Sequence, residues 1–123
     1  MGMAHPGRTE WEIAGAIEGH LLGKGGFPAF PVILTKHGET LHNHATGTVL
    51  KQGDLLLVDT GAVVPGTRYA SDITRMSPVG GTFSDRQRAV YQIVLDALAA
   101  CTEGMAPGVP FRDLHQLAAL TIA

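Results

Sequence analysis

Two aspartates stand where carboxylates are seldom found. In LLLVDTGAVVPGTRYASDITR, residues 55–75, Asp59 follows a run of Leu and Val, and Asp72 sits between Ser and Ile. Carboxylates are rarely buried without a partner, and no basic residue lies near Asp59 in sequence. The segments around both are β-rich, and VPGT between them signals a turn. With Pro65-Gly66 at the tip of an antiparallel hairpin, Asp59 faces Asp72 directly. Opposed side chains share one face, with Cβ atoms roughly 4.5–5.5 Å apart. Like charges at that spacing repel unless one is protonated or a cation lies between them. Divalent ions of the Mg/Mn type prefer carboxylate oxygen, so the spacing leaves two readings, a metal-bridging pair or two solvated strand carboxylates. The turn is the sensitive point. Pro-Gly favours type II, whereas tight hairpins prefer types I′ and II′, and a one-residue slip would send the two aspartates to opposite faces.

The histidines are the next candidates. ETLHNH reads as a strand, with HGE as the turn before it, so His42 and His44 share a strand face in the manner of a transition-metal pair. Spacing alone favours a structural role for both, and His20, His37 and His115 receive none. Arg75 is either a partner for a sheet carboxylate or a solvated strand end. Cys101 falls at an apolar position of a helix, which suits a buried structural thiol.

The remaining elements frame these residues. Thr9 and Glu12 form a T-x-x-E capping box, predicting a helix that carries Trp11, Ile13, Ala16, Ile17 and Leu21 and stops at GKGG. FPAF is extended coil or an edge, VILT a short strand, and KQGD a turn. Ser84 with Gln87 opens a second helix whose apolar face is Val90, Ile93, Val94, Ala97, Leu98 and Cys101, with Gly104 as its stop. A third helix starts near Pro110 with Leu114, Leu117 and Ala118 inward. It ends on the apolar LTIA, an odd finish for a domain, so the chain reads as cut. HPGRTEWEIAGAIEG and APGVPFRDLHQLAAL each place Pro-Gly before an amphipathic helix, as if a second copy of one αβ unit had begun.

Composition sets the outer limits. At 123 residues the chain suits one domain, and 45% hydrophobic with 16% charged residues suits a compact α/β (α+β) protein. A net charge of −2 with dispersed Lys and Arg excludes a nucleic-acid face. No apolar run approaches the roughly 18 residues of a membrane span, and MGMAHPGRTE has no apolar signal segment. With a single cysteine, the expectation is a cytoplasmic protein.

From HNHATGTVLKQGDLLLVDTGA through YASDITR and Pro78, the chain strongly resembles the Xaa-Pro aminopeptidase and prolidase branch of the pita-bread (M24) metallopeptidases. Met76 departs mildly from that pattern, where Thr is usual. The resemblance implies the first half of a pita-bread fold, an antiparallel curved sheet backed by helices. Residues 1–104 would form the first αβ unit, and 105–123 would start the second. It implies that Asp59 and Asp72 are ligands of two divalent metal ions, manganese in this branch, with Asp72 bridging both. Metal would then generate the nucleophile and act as Lewis acid. His42 would match the family's substrate-side histidine. The family's other ligands, a His and two Glu, have no counterpart here, since Glu103 and His115 lie in the wrong contexts. The implied activity of the intact protein is hydrolysis of peptides with proline after the cut, the fragment being inactive alone. The alternatives are a non-catalytic peptide- or protein-binding domain of the same fold, and a half-domain that self-associates through its truncated face.

Overall fold

In a computed structural model describing residues 2–123, the chain packs as two compact units, one ending at Thr82 and the other Phe83–Ala123.

Helix α1, Glu10–Gly23, opens the first unit. It starts where the Thr9–Glu12 capping box predicts, with both reciprocal bonds formed. The Thr9 amide, seconded by its hydroxyl, holds the Glu12 carboxyl below the usual carboxylate range. Five strands follow: β1 (Phe27–Pro28), β2 (Ile33–Thr35), β3 (Leu55–Thr60), β4 (Ala62–Val63) and β5 (Ile73–Pro78). The fold is therefore mixed α/β with antiparallel sheets, as expected. β2, β3 and β5 form one sheet with β3 central, and β1 pairs with β4.

Strand alternation decides which face is core. Leu56 and Val58 of β3 and Leu34 of β2 point to one side and are buried with Ile13 of α1, Val32, Leu50 and Val79. Leu57 and Asp59 point to the other. Asp54 anchors the entry to β3, accepting from the Lys51 amide at 2.9 Å and the Lys36 ammonium at 3.2 Å. Burial alone would raise its carboxyl, but the amide and the ammonium outweigh burial and leave it below the usual aspartate range.

ETLHNH is not a strand. Residues 38–42 are turns, His42 has a left-handed φ of 54°, and only His44 makes an isolated bridge, to Ile33. Alternation of polar types mimicked strand periodicity, but the segment is held by side chains instead: Thr35 Oγ1 accepts from the His37 amide and from Asn43 Nδ2, at 2.9 and 3.0 Å.

The second unit contains α2, Asp85–Gly104, and α3, Phe111–Ile122. α2 opens with the Ser84–Gln87 box and ends at the expected glycine. The two helices pack on each other, with the Cys101 thiol donating to the Leu114 carbonyl at 3.3 Å. Leu114, Leu117 and Ala118 are half-buried, as their spacing predicts. The expected apolar face of α2 is largely exposed: Ala97 is buried, but Val90, Ile93, Val94 and Leu98 are not. Among the described residues no helix is long and apolar enough to cross a membrane.

Candidate metal centre

The hairpin that carries the aspartates is longer at its tip than Pro65-Gly66 suggests. Arg68 N donates to the Val64 carbonyl at 2.8 Å and Val64 N to the Tyr69 carbonyl at 3.0 Å, so residues 65–68 form the loop. Arg68 takes a left-handed φ of 59° to close it. The ladder is accordingly shifted by two residues from the tight-turn register: Asp59 faces Thr74, not Asp72. Because the side-chain period is two, a shift of two keeps both aspartates on one face, where a shift of one would have separated them. Asp72 itself precedes β5. The ladder keeps the same register on both sides of it, with Ile73 opposite Thr60 and Ala70 opposite Val63. Asp59 and Asp72 are thus diagonal neighbours, roughly 7–8 Å apart at the backbone, still within reach of two converging carboxylates.

Gly61 falls opposite Asp72 in this register. A Cβ there would run into the Ser71 carbonyl and come within 3.1 Å of the Phe30 ring, so only glycine lets the two strands close on each other beside the aspartates. Ser71 completes the contact, its amide donating to the Ala62 carbonyl and its hydroxyl accepting from the Ala62 amide.

The electrostatic peculiarity is at Asp59. Its Oδ1 is buried and has no hydrogen-bond partner among the described residues. A carboxylate oxygen left in that state is costly unless a cation or donor meets it. The Thr60 hydroxyl is also buried without a partner, but alternation puts it on the opposite face, away from the pair. A hard divalent ion fits the donor set of Asp59 and the exposed Asp72. Among the described residues, no three or more His, Cys, Asp or Glu gather into a group that could hold a metal ion, so this chain offers the two carboxylates and no closed cage.

His42 stands in a turn between β2 and β3. Its loop runs along the β2 edge of the sheet: His44 bridges Ile33, Ile33 faces Asp59, and Asp59 faces Thr74. His42 is exposed, and His44 is tied by Nδ1 to the Val32 carbonyl at 3.1 Å. The two histidines therefore form no strand-face pair. Among the described residues Arg75 pairs with no carboxylate either; its guanidinium donates to the Thr74 carbonyl. Sequence reasoning missed Glu10, a carboxylate only 1% exposed that binds both ends of the His42 loop. The capping box accounted for Glu12 two residues on, and nothing in residue type marks Glu10 as the buried one.

Comparison with known proteins supplies the family. The chain is 36% identical over 107 residues to Xaa-Pro aminopeptidase 1 of Streptomyces coelicolor, covering 87% of this chain and 21% of that protein. The structure of Pseudomonas aeruginosa aminopeptidase PepP superposes with a TM-score of 0.89 at 32% identity, over 98% of this chain and 27% of that one. Prolidase from Pyrococcus furiosus superposes with a TM-score of 0.85 at 33% identity, over 96% and 35%. The chain thus spans between about a fifth and a third of these relatives' lengths, and the shared architecture is the pita-bread fold. With the model of metallopeptidase family M24 matching residues 1–123 throughout, the chain belongs to that family.

Proposed function

We propose that this chain carries the first part of the catalytic domain of an Xaa-Pro aminopeptidase or proline dipeptidase, with Asp59 and Asp72 as metal ligands. The observation that supports this most is the buried, partnerless Oδ1 of Asp59 on the same sheet face as Asp72, in a chain of a metallopeptidase family. In this reading residues 1–104 are the first αβ unit and 105–123 the start of the second. Two divalent ions, manganese by resemblance to the Xaa-Pro branch, would supply Lewis-acid polarisation of the scissile carbonyl and an acidified water.

The chain's own residues do the holding and orienting. β3 and the start of β5 fix two carboxylates within one rigid sheet, the kind of support a metal site requires. Asp72 is assigned the bridging position and Asp59 one ion. His42 is assigned to the substrate: its ring N–H binds the residue after the cut and stabilises the charge that develops there. The substrate class is a peptide with proline after the scissile bond. The 123-residue chain has two of the family's ligands and is inactive alone. A cytosolic location suits its lone free thiol, Cys101.

The test is proline release from an Xaa-Pro dipeptide with Mn²⁺, comparing the chain with Asp72→Ala. The expected result is none from either protein. Release that vanishes in Asp72→Ala would show that the site is completed by self-association. That second reading draws on Phe111 and Leu120 of α3, which are 84% and 77% exposed. Sedimentation over a range of concentrations separates the two. A mass that does not change with concentration leaves no role for self-association.

A further inference from the structure

Glu10 is buried to 1% exposure, yet no cation meets it among its contacts. Its carboxylate is spent on one loop. Oε1 accepts the Lys36 amide at 2.8 Å; Oε2 accepts the Thr46 amide at 2.9 Å and the Thr46 hydroxyl at 2.8 Å. The main chain returns the contact. The Glu10 amide donates to the Thr48 carbonyl at 3.1 Å and the Trp11 amide to the Thr46 carbonyl at 3.2 Å, which satisfies two of the orphan donors at the start of α1. One residue therefore grips residues 36 and 46 together, and those are the two ends of the segment that contains His42.

The middle of that segment is strained. His42 sits at a φ of 54°, a region that side-chain-bearing residues leave unless their surroundings over-determine them. Thr35, itself buried, steadies the interior through the His37 amide and the Asn43 side chain. The Trp11 indole holds the Ala45 carbonyl at 3.0 Å. Glu10 adds the join between residues 36 and 46 to the closure made by the Ile33–His44 bridge and the bonds from His44 to Val32 and from Asn43 to Thr35.

The geometry points to Glu10 as the positioning residue for His42: a buried carboxylate that clamps both ends of the loop and thereby fixes where the histidine stands. The significance for catalysis rests on the assignment of His42 to the substrate made above. The clamp itself does not.

The experiment is amide hydrogen exchange by NMR on the 123-residue chain, together with the His42 Cα shift, which reports its left-handed φ. Glu10→Gln keeps size but turns a donor toward the Lys36 or Thr46 amide. The expected result is exchange on the order of tenfold faster at Lys36 or Thr46, whichever amide faces the new donor, with β3 amides unchanged, and a His42 Cα shift moved toward the ordinary range. Thr46→Val, which deletes only the hydroxyl, should give a smaller change at Thr46 and serves if Glu10→Gln does not fold. Unchanged exchange at Lys36 and Thr46 would overturn the proposal. So would equal acceleration at Lys36, Thr46 and β3, because that is general destabilisation, or a His42 shift that stays put while the loop ends open. Proline release by a longer, active relative with the equivalent of His42→Ala tests the substrate assignment separately, since exchange needs no substrate.

Discussion

Replacing Gly61 with Ala separates two opposing effects of one methyl group. Its φ is outside the left-handed region, so the substitution brings no backbone strain of its own. Restricting the unfolded chain would stabilise by about 0.4–1 kcal/mol. Against this, the new Cβ meets the Ser71 carbonyl and the Phe30 ring, and a backbone carbonyl cannot swing away as a side-chain tip can. Overpacking of this kind costs about 1–3 kcal/mol, and a clash with backbone belongs at the upper end. The clash wins, by about 2 kcal/mol. For a unit of this size that lowers the melting midpoint by roughly 8–16 °C. Gly15→Ala is the control. Gly15 lies in α1 with open space where its Cβ would go, so the same change there stabilises by about 0.5–1 kcal/mol. Thermal unfolding followed by circular dichroism measures both. A Gly61→Ala midpoint within a degree or two of the parent would refute the close approach of the strands, and with it the register that places Asp72.

Other expectations follow from the same structure. Leu34→Ala removes a fully buried side chain from the core and should cost about 2–5 kcal/mol in urea unfolding. The Asp54 carboxyl is held below its ordinary value when folded, so its contribution to stability is complete above about pH 4 and is lost as pH falls through the lower folded value. Asp54→Asn should therefore flatten the acid limb of the stability curve while changing little of its shape above pH 6. A curve unaltered below pH 4 would show that Lys36 and Lys51 do not hold this carboxylate.

Which features were legible in the sequence depended on the range of the interaction that builds them. Both capping boxes close within four residues, and both helices start where Thr9 and Ser84 said. VILT and LLLVDT are runs whose β-branched and apolar residues suffice to make strands. The hairpin register was not legible, because Pro65-Gly66 looks like a complete turn. Extension to residue 68 depends on Arg68 adopting a left-handed φ, which arginine does not advertise. The shared face survived only because the slip was even. The His42 loop failed for a different reason: its ends are bound by Glu10, 26 and 36 positions away in sequence, and alternating polar residues look like a strand when that partner is unknown. Asp59 could be singled out by type and setting, but its orphaned oxygen is visible only in three dimensions.

The central claim is that Asp59 and Asp72 together hold a divalent ion, and Mn²⁺ binding followed by electron paramagnetic resonance tests it most directly. Titrating the ion into the parent chain, Asp59→Ala and Asp72→Ala should show weak, saturable binding to the parent that is lost in each variant. Binding that persists unchanged in both variants, or no binding to the parent at concentrations well above those that saturate a simple dicarboxylate, would contradict the account.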